Sequence, residues 1–319
     1  MQWHQRALRA LPLATLLLFA ACDAPNPAVN RATSGRLILY VDEMYGPLFT
    51  ALADSFMALT PNSRIEIRTA PARMAVEQLL NTHIQNARGS DTLPSVAAIL
   101  ARPMLPDELE AIDKARLERH EFLIGYDGLA LIVPNASPLL STDLQWMRHA
   151  MLTPTARVSQ LDSTVGDAPL RFLLPDQNSS TFMVLRRNVL GDSNISAPAR
   201  YFQTGDSVVA AVAAGEGVGV IGWYPARRDS ARIRPLRIGY LDSAGLYTAP
   251  VGINAATLVT KTYPLKQPVI GYTFALTNSL ATGFLAWVAK SGPPQRFLTE
   301  QGLQAENIKY RLVMPEGGQ

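Results

Sequence analysis

The chain has 319 residues, of which 48% are hydrophobic, and it carries 29 basic and 26 acidic side chains with a single cysteine. This length and composition predict a globular protein with one large core or two lobes. The near balance of charge, without a basic run, argues against a nucleic-acid-binding protein. Beyond the N-terminal segment, no apolar stretch is long enough to span a membrane.

Residues 1–21 are predicted to be a targeting segment. Arg6 and Arg9 form a basic start, and the apolar stretch 11–21 is too short for a stable membrane-spanning helix. The pattern therefore predicts export from the cytoplasm, to the periplasm or the cell surface.

The targeting segment is followed by the only cysteine, Cys22. Residues 19–22, FAAC, resemble a bacterial lipobox, in which the cysteine becomes the lipidated N-terminus of the mature protein. Phe19 stands where Leu is usual, which leaves ordinary signal cleavage open. We predict that Cys22 anchors the protein to the membrane, so it is not used for catalysis, metal or a disulfide. Residues 23–34 then form a flexible tether.

The first half of the mature chain alternates predicted strands and helices. The strands are 36–41, 65–68, 96–100 and 125–133, and the helices are 47–59, 75–84 and 106–117. This order predicts a mainly parallel sheet with helices on its faces. Ligands of such sheets lie beyond the carboxyl ends of the strands. Asp42, Glu43 and Arg102 all follow strand ends, so we expect them to lie near one another.

The second half begins after a polar, proline-containing break at 135–141 that is a candidate crossing between lobes. We predict helices at 144–151, 182–190, 206–214, 279–290 and 294–303, strands at 170–174, 218–221 and 233–240, a strand-like stretch at 250–260 and a loop at 263–268.

A polar loop at 175–181 joins the predicted strand 170–174 to the start of a helix. The first N–H groups of a helix have no partner within it, and the helix dipole adds partial positive charge there. Hydroxyls of Ser179, Ser180 and Thr181 add further donors. One such residue would serve as an ordinary N-cap, whereas four polar residues in a row, from Asn178 onward, favour an anion-binding loop.

Gly217, Gly219 and Gly222 match the spacing G-x-G-x-x-G of dinucleotide-binding loops, and Asp242 lies 20 residues beyond. That motif needs a strand before the glycines and a helix after them. Here a predicted helix precedes them, they lie within the predicted strand, and no helix is predicted to follow. We therefore expect a tight helix-to-strand junction and no dinucleotide.

Catalytic and metal-binding patterns are weak. His83, His120 and His149 have no metal-ligand spacing, and neither H-E-x-x-H nor G-x-S-x-G occurs. Asp42 and Glu43 are adjacent, which does not place two carboxylates across a bond. These patterns predict a binding protein rather than an enzyme, without metal or cofactor.

Taken together, motifs along nearly the whole mature chain resemble the PstS-like substrate-binding lipoproteins of bacterial ABC phosphate importers. The motifs are 41–43 (VDE), 99–103 (ILARP), 125–130 (GYDGLA), 178–181 (NSST), 220–223 (VIGW) and 263–265 (YPL), followed by the last two helices.

The resemblance implies an α/β fold of the two-lobe type II periplasmic binding protein class, with two hinge crossings. Lobe 1 would comprise residues 36–135 and 250–319, and lobe 2 residues 136–249. It also implies a monomeric receptor that captures inorganic phosphate in an interlobe cleft and delivers it to an ABC importer permease. At positions matching the family's motifs, the phosphate ligands would be the backbone N–H groups of Glu43 and Met44, together with Arg102, Asp127, Asn178, Ser179, Ser180 and Thr181.

Two of these roles have independent physical support. Arg102 offers a forked, charge-assisted contact to an oxyanion. Ionised Asp127 can only accept hydrogen bonds, so it requires a proton that phosphate carries near neutral pH and sulfate does not. Structural alternatives remain open: a surface ion pair for Arg102, a turn cap for Asp127, and solvated turn acids for Asp42 and Glu43.

Three positions depart from the family pattern. Ser180 replaces a frequent Gly, Pro175 stands where many members have an Arg that contacts phosphate, and Ala101 stands where Ser is often found. These changes leave a second function open, in which a receptor-derived lipoprotein with weak or altered oxyanion binding serves as a sensor or an envelope interaction protein.

Overall fold

The computed structural model describes residues 30–86, 93–191, 193–275 and 277–309. The predicted targeting segment, Cys22 and most of the predicted tether lie outside these residues. None of the helices in the described ranges is both long enough and apolar enough to cross a membrane.

The structure alternates strands and helices, as predicted. The strands are β1 (Gly35–Asp42), β2 (Ser63–Ala70), β3 (Ser95–Leu100), β4 (His120–Pro134), β5 (Ser141–Asp143), β6 (Phe172–Pro175), β7 (Ala199–Phe202), β8 (Val218–Gly222), β9 (Ile233–Pro235), β10 (Arg237–Leu241), β11 (Tyr247–Val251), β12 (Lys266–Thr273) and β13 (Gln304–Ala305). The α-helices are α1 (Gly46–Leu59), α2 (Ala72–Asn86), α3 (Pro106–Lys114), α4 (Leu144–Leu152), α5 (Ser180–Leu185), α6 (Gly205–Ala213), α7 (Trp223–Arg228), α8 (Ala255–Val259), α9 (Leu280–Lys290) and α10 (Gly292–Glu300). A 3-10 turn, Glu43–Tyr45, joins β1 to α1, and a π-helical turn, Arg186–Leu190, continues α5.

One mixed sheet organises the fold. Its strand order is β2-β1-β3-β12-β4-β8-β6-β7, and β9 and β13 also pair with β4. The pairs at both ends, β2-β1-β3 and β8-β6-β7, are parallel, whereas β12 and β4 are antiparallel to their neighbours. The predicted parallel arrangement is therefore found at the two ends of the sheet and not in its middle.

Strand β4 belongs to both halves of the sheet. Its residues up to Gly128 pair with β12, and its residues from Leu129 onward pair with β8. We refer to the part that carries β1, β2, β3 and β12 as the first lobe and to the part that carries β6, β7 and β8 as the second lobe. The boundaries at 135 and 250 remain a prediction, and Ile253 and Leu258, beyond the second boundary, pack in the core around β6.

Strands β1 and β3 of the first lobe are buried on both faces. In β1, Leu37 and Leu39 pack in the cluster that contains α1, while Ile38 and Tyr40 pack in the cluster that contains α2. This burial explains the continuous apolar run in the sequence, because a parallel strand covered by helices on both sides has no solvated face. The carboxyl ends of β1 and β3 are thereby held in fixed positions.

Strand β12 was missed by the sequence analysis, which predicted a loop at 263–268. Pro268 lies inside this central strand opposite Tyr126. Proline has no N–H for the strand ladder and normally indicates an edge or a break. The strand nevertheless forms between β3 and β4, where its apolar residues Val269 and Ile270 are buried.

Two predicted strands are wrong in part. The stretch 250–260 is the end of β11 followed by α8, whose N-cap Asn254 accepts a hydrogen bond from the backbone N–H of Thr257 at 3.0 Å. The stretch 233–240 is divided into β9, which pairs with β4, and β10, which pairs with β5 and β11 in a separate sheet.

The glycine motif is a helix-to-strand junction, as predicted. Helix α6 precedes it, Gly215 has a positive φ of 78°, and Gly219 and Gly222 lie within β8. The expectation that no helix follows is wrong, because α7 begins at Trp223 and accommodates Pro225 in its first turn.

Candidate functional site

The two lobes touch directly at the carboxyl ends of β1, β3 and β6. The backbone N–H of Ser180 donates to Oδ2 of Asp42 at 3.2 Å, and Oγ of Ser180 accepts from the backbone N–H of Ala101 at 3.0 Å. At the edge of this contact, the N–H of Arg73 donates to the carbonyl oxygen of Asn178 at 3.0 Å. The predicted anion-binding loop thus lies against the strand ends of the first lobe.

The three predicted hydroxyl residues of the loop are fully buried. Ser179 is the N-cap of α5, because its Oγ accepts from the N–H of Phe182 at 3.1 Å. The hydroxyl of Thr181 donates to the sulfur of Met44 at 3.2 Å, which joins the two lobes again. Asn178 differs from the other three: the residue is exposed, and only its backbone takes part in the lobe contact.

Asp42 is fully buried at the end of β1. Its Oδ1 accepts from the N–H of Met44 at 3.4 Å, so it caps the 3-10 turn, and its Oδ2 accepts from Ser180. Burial raises the pKa of Asp42, and the hydrogen bonds from Ser180 and Met44 only partly oppose this rise. The open question of whether this acid is solvated is therefore answered: it faces the protein interior.

Glu43 lies beside Asp42, and no cation among the described residues is found to stabilise its carboxylate. Both carboxyl oxygens are buried, and neither has a hydrogen-bond partner within the described residues. Burial, followed by the negative charge of Asp42, raises the pKa of Glu43 to about 10. Burial thus favours the protonated form of Glu43, in which the carboxyl group can donate a hydrogen bond.

Asp127 is fully buried on β4 within a hydrogen-bond network. The hydroxyl of Tyr45 donates to Oδ2 at 2.6 Å, and the N–H of Tyr224 lies 3.2 Å from Oδ1 and 3.3 Å from Oδ2. Gln267 in turn donates from Nε2 to the Tyr45 hydroxyl at 3.0 Å. Burial raises the pKa of Asp127 to about 6, because it outweighs the hydrogen bonds that stabilise the charged form.

Gly222 makes room for this network. A Cβ atom at this position would lie 3.0 Å from Oδ2 of Asp127 and 3.3 Å from the Tyr45 hydroxyl. The aromatic rings of Tyr45 and Tyr224 stack with centroids 5.9 Å apart. Tyr45, Tyr224 and Gln267 were not predicted as site residues, and the only signal for them was their position next to the 41–43, 220–223 and 263–265 motifs.

Arg102 pairs with Glu108 of its own lobe, whereas its predicted partner was an oxyanion. Its side chain is 2% exposed, and its two terminal nitrogens pair with the two carboxyl oxygens of Glu108 at 2.8 and 2.6 Å. Glu108 also accepts from the N–H of Leu105 at 2.8 Å at the start of α3. The guanidinium fork is thus committed to a buried ion pair, and a contact from Arg102 to an oxyanion remains a prediction.

A cavity of about 690 Å³ adjoins the site between the lobes. Basic side chains from both lobes line it, together with an apolar wall from Met104 and Val184. The basic residues are Arg73, Arg102, Arg186, Arg187 and Lys266, and Asp107 is the one acid in the lining. In the described part of the chain, no cluster of His, Cys, Asp or Glu side chains is arranged to hold a metal ion.

Comparison with known proteins decides the family. The sequence matches the family model of the PBP superfamily domain over residues 27–291, which is most of the chain. The chain belongs to the PBP superfamily. This membership agrees with the predicted resemblance to PstS-like substrate-binding proteins.

The PBP relatives are distant in sequence and similar in fold. Protein SphX of Synechococcus elongatus is 21% identical over 267 residues, which cover 81% of this chain and 74% of SphX. A candidate phosphate ABC transporter substrate-binding protein from Clostridium perfringens, solved with bound phosphate, has a TM-score of 0.66 at 15% identity, covering 85% of this chain and 99% of its own. An ABC-type phosphate transport receptor from Vibrio cholerae has a TM-score of 0.61 at 14% identity, with 84% and 99% coverage. The prediction of a two-lobe α/β binding-protein fold is therefore confirmed.

Proposed function

We propose that this protein is an extracytoplasmic receptor that binds inorganic phosphate between its two lobes. The observation that carries the proposal is the meeting of three elements at one buried place. These elements are the start of α5 with its hydroxyls, the turn after β1, and Asp127 on β4. The names of the Clostridium and Vibrio proteins, which refer to phosphate transport, support the same ligand.

The site offers both kinds of partner that hydrogen phosphate needs. Backbone N–H groups of Met44 and Ser180 and the hydroxyl of Thr181 are donors for the anion's oxygens. Asp127 supplies a buried acceptor for the proton on the ligand, and with a pKa of about 6 it is largely ionised at neutral pH. Sulfate has no such proton, so the same acceptor would repel it.

Ligand entry requires the lobes to separate. Breaking the lobe contacts of Ser180 with Asp42 and Ala101, and of Arg73 with Asn178, would expose the donors. Closing the lobes around the anion would then exclude water, as in other hinge motions. A lipid anchor at Cys22, a monomeric state and delivery to an ABC importer permease belong to the same proposal.

Calorimetric titration of the purified chain tests the proposal. After removal of endogenous ligand, we expect phosphate to bind at micromolar concentration or tighter, on the order of −8 kcal/mol, and sulfate to give no heat. Asp127→Asn should reduce the preference for phosphate over sulfate, because the amide removes the charge that repels sulfate. Asp167→Asn, at an exposed carboxylate paired with Arg157, is the matched control and should leave both titrations unchanged. A folded sample that gives no heat with phosphate contradicts the proposal.

The acid pair Asp42–Glu43 favours a second candidate, the receptor-derived sensor or envelope interaction lipoprotein. Two buried carboxyl groups lie beside the anion donors, and Asp42, when ionised, disfavours a dianion there. Weak phosphate binding together with a stable protein complex recovered from membranes would support this candidate over transport.

A further inference from the structure

The carboxylate of Asp42 connects the two lobes through backbone donors. Oδ1 accepts from the N–H of Met44 in the first lobe at 3.4 Å, and Oδ2 accepts from the N–H of Ser180 in the second lobe at 3.2 Å. Met44 lies in the 3-10 turn, and Ser180 is the first residue of α5. Each lobe therefore contributes one donor to the same carboxylate.

This arrangement exceeds what a helix cap requires. A capping side chain accepts from an N–H of its own turn, and the bond from Met44 already does so. The bond from Ser180 joins residues 138 positions apart and exists only while the lobes are in contact. Ala101 fixes Ser180 further by donating to its Oγ, so the N–H of Ser180 is held towards Asp42.

The carboxyl group of Asp42 accepts from backbone N–H groups of the kind that bind anions. The described groups that act on its carboxyl are Ser180, Met44 and Glu43, and none of them is a cation. The nearby guanidinium of Arg102 is held by Glu108. Turn and helix-start N–H groups are also the donors that an oxyanion would use at this place. A carboxylate of the chain itself thus takes hydrogen bonds suited to the ligand.

We propose that Asp42 is a tethered competitor of the ligand, whose carboxylate holds the lobes together until phosphate displaces it from the N–H groups of Met44 and Ser180. This inference rests on the proposed phosphate-binding function. Asp42 would then determine affinity without being a ligand contact.

Two consequences follow from mass action. Phosphate binding must compete with an internal contact, so its apparent affinity is reduced by the share of molecules in which Asp42 occupies the donors. Removing the carboxylate should therefore tighten phosphate binding and, without phosphate, let the lobes separate. If Asp42 only capped the turn, its removal would neither tighten phosphate binding nor let the lobes separate.

The experiment measures lobe separation and binding in the same variants. The parent is the full chain in detergent, with Cys22→Ser to leave only the probe positions labelled, and with Ser55→Cys on α1 and Gln145→Cys on α4 as exposed spin-label sites. Distances between the labels are measured by pulsed electron resonance, with and without phosphate. Asp42→Ala removes both acceptors and Asp42→Asn retains one. Asp54→Asn, at an exposed acid on α1, is the matched control, and thermal melting verifies that each variant is folded.

We expect a single short distance in the parent with or without phosphate. In Asp42→Ala the distance should be longer and broader without phosphate and short with it, and phosphate should bind roughly tenfold tighter. Asp42→Asn should lie between, and Asp54→Asn should match the parent.

The failures are distinguishable. Unchanged distances in folded Asp42→Ala and Asp42→Asn would overturn the tether. Weaker phosphate binding by Asp42→Ala would overturn the competition and make Asp42 a ligand contact. Separated lobes in Asp42→Ala, with no phosphate binding by any variant, would uphold the tether and reject the proposed phosphate function.

Discussion

Glu108 and Glu43 belong to the same lobe and both have buried carboxyl groups, but the surroundings of these groups are opposite. Glu108 receives two bonds from the guanidinium of Arg102 and one from the N–H of Leu105, so both of its oxygens are satisfied. Glu43 receives none within the described residues, and the adjacent acid Asp42 raises its pKa further.

The two glutamates show two ways in which a buried acid is accommodated. A buried charge is tolerated when it is paired and fully hydrogen-bonded, as at Glu108. Where no partner is supplied, the group retains its proton instead, as the raised pKa of Glu43 indicates. Uncompensated groups of this kind concentrate at functional sites, which is where the lobe contact lies.

The largest effect is expected when the paired glutamate, Glu108, loses its cation. Arg102→Gln leaves the Glu108 carboxylate buried without its cation, and we expect the free energy of unfolding to fall by about 3–5 kcal/mol in urea titration. Arg68→Gln removes a cation from an exposed pair with Glu66 and should cost less than about 1 kcal/mol. Equal losses in the two variants would mean that burial does not strengthen the Arg102 pair.

The unfolding free energy measured over a range of pH tests the unpaired glutamate, Glu43. Because the pKa of Glu43 rises from 4.5 to about 10 on folding, its stabilising contribution is complete below pH 4.5 and is lost as the pH rises towards 10. Glu43→Gln has no proton to lose. We expect the variant to match the parent at pH 4 and to exceed its unfolding free energy increasingly as the pH rises above 4.5, by at most about 1.4 kcal/mol per pH unit. Glu118→Gln, at an exposed glutamate, is the control, and parallel pH profiles for Glu43→Gln and the parent would contradict the assignment.

The smallest effect is expected at Asp127. This acid is intermediate between Glu108 and Glu43, because it has hydrogen-bond donors but no cation among the described groups that act on it. Tyr45→Phe removes the hydroxyl that donates to Asp127 and accepts from Gln267, and we expect a loss of about 1–2 kcal/mol in unfolding free energy. Tyr247→Phe removes an exposed donor to Asp143 and should stay within about 0.5 kcal/mol of the parent. A loss as small as that of the control would show that the network is redundant.

Much of the first lobe was predictable because its signals are local. The apolar runs of β1, β3 and β4 were found from their sequence period, and in the second lobe the polar loop before α5 was found from helix-start chemistry. Strand β12 was missed because Pro268 carries the opposite local signal, and the middle of the sheet was therefore predicted to be parallel.

The site was only partly predictable because its partners come from distant segments. Tyr45, Tyr224 and Gln267 reach Asp127 from three separate elements, and no short pattern links them. Arg102 was predicted as a ligand from its place after β3, whereas its pairing with Glu108 depends on the turn at Pro103 and the start of α3. Sequence position locates a strand end, but it does not determine which neighbour a long side chain contacts.

Asp127 lies on β4 close to the point where the two lobes join. The strand changes its pairing partner between Gly128 and Leu129, one residue after Asp127. A rotation of one lobe against the other about this point would move Asp127 least, and it would move the outer edges at β2 and β7 most. Asp127, the proposed anion acceptor, would then stay nearly stationary, while a small rotation near it produces a large displacement at the outer edges. The proposed permease, by contacting these outer edges, would thus respond to phosphate binding at the centre without touching the binding site.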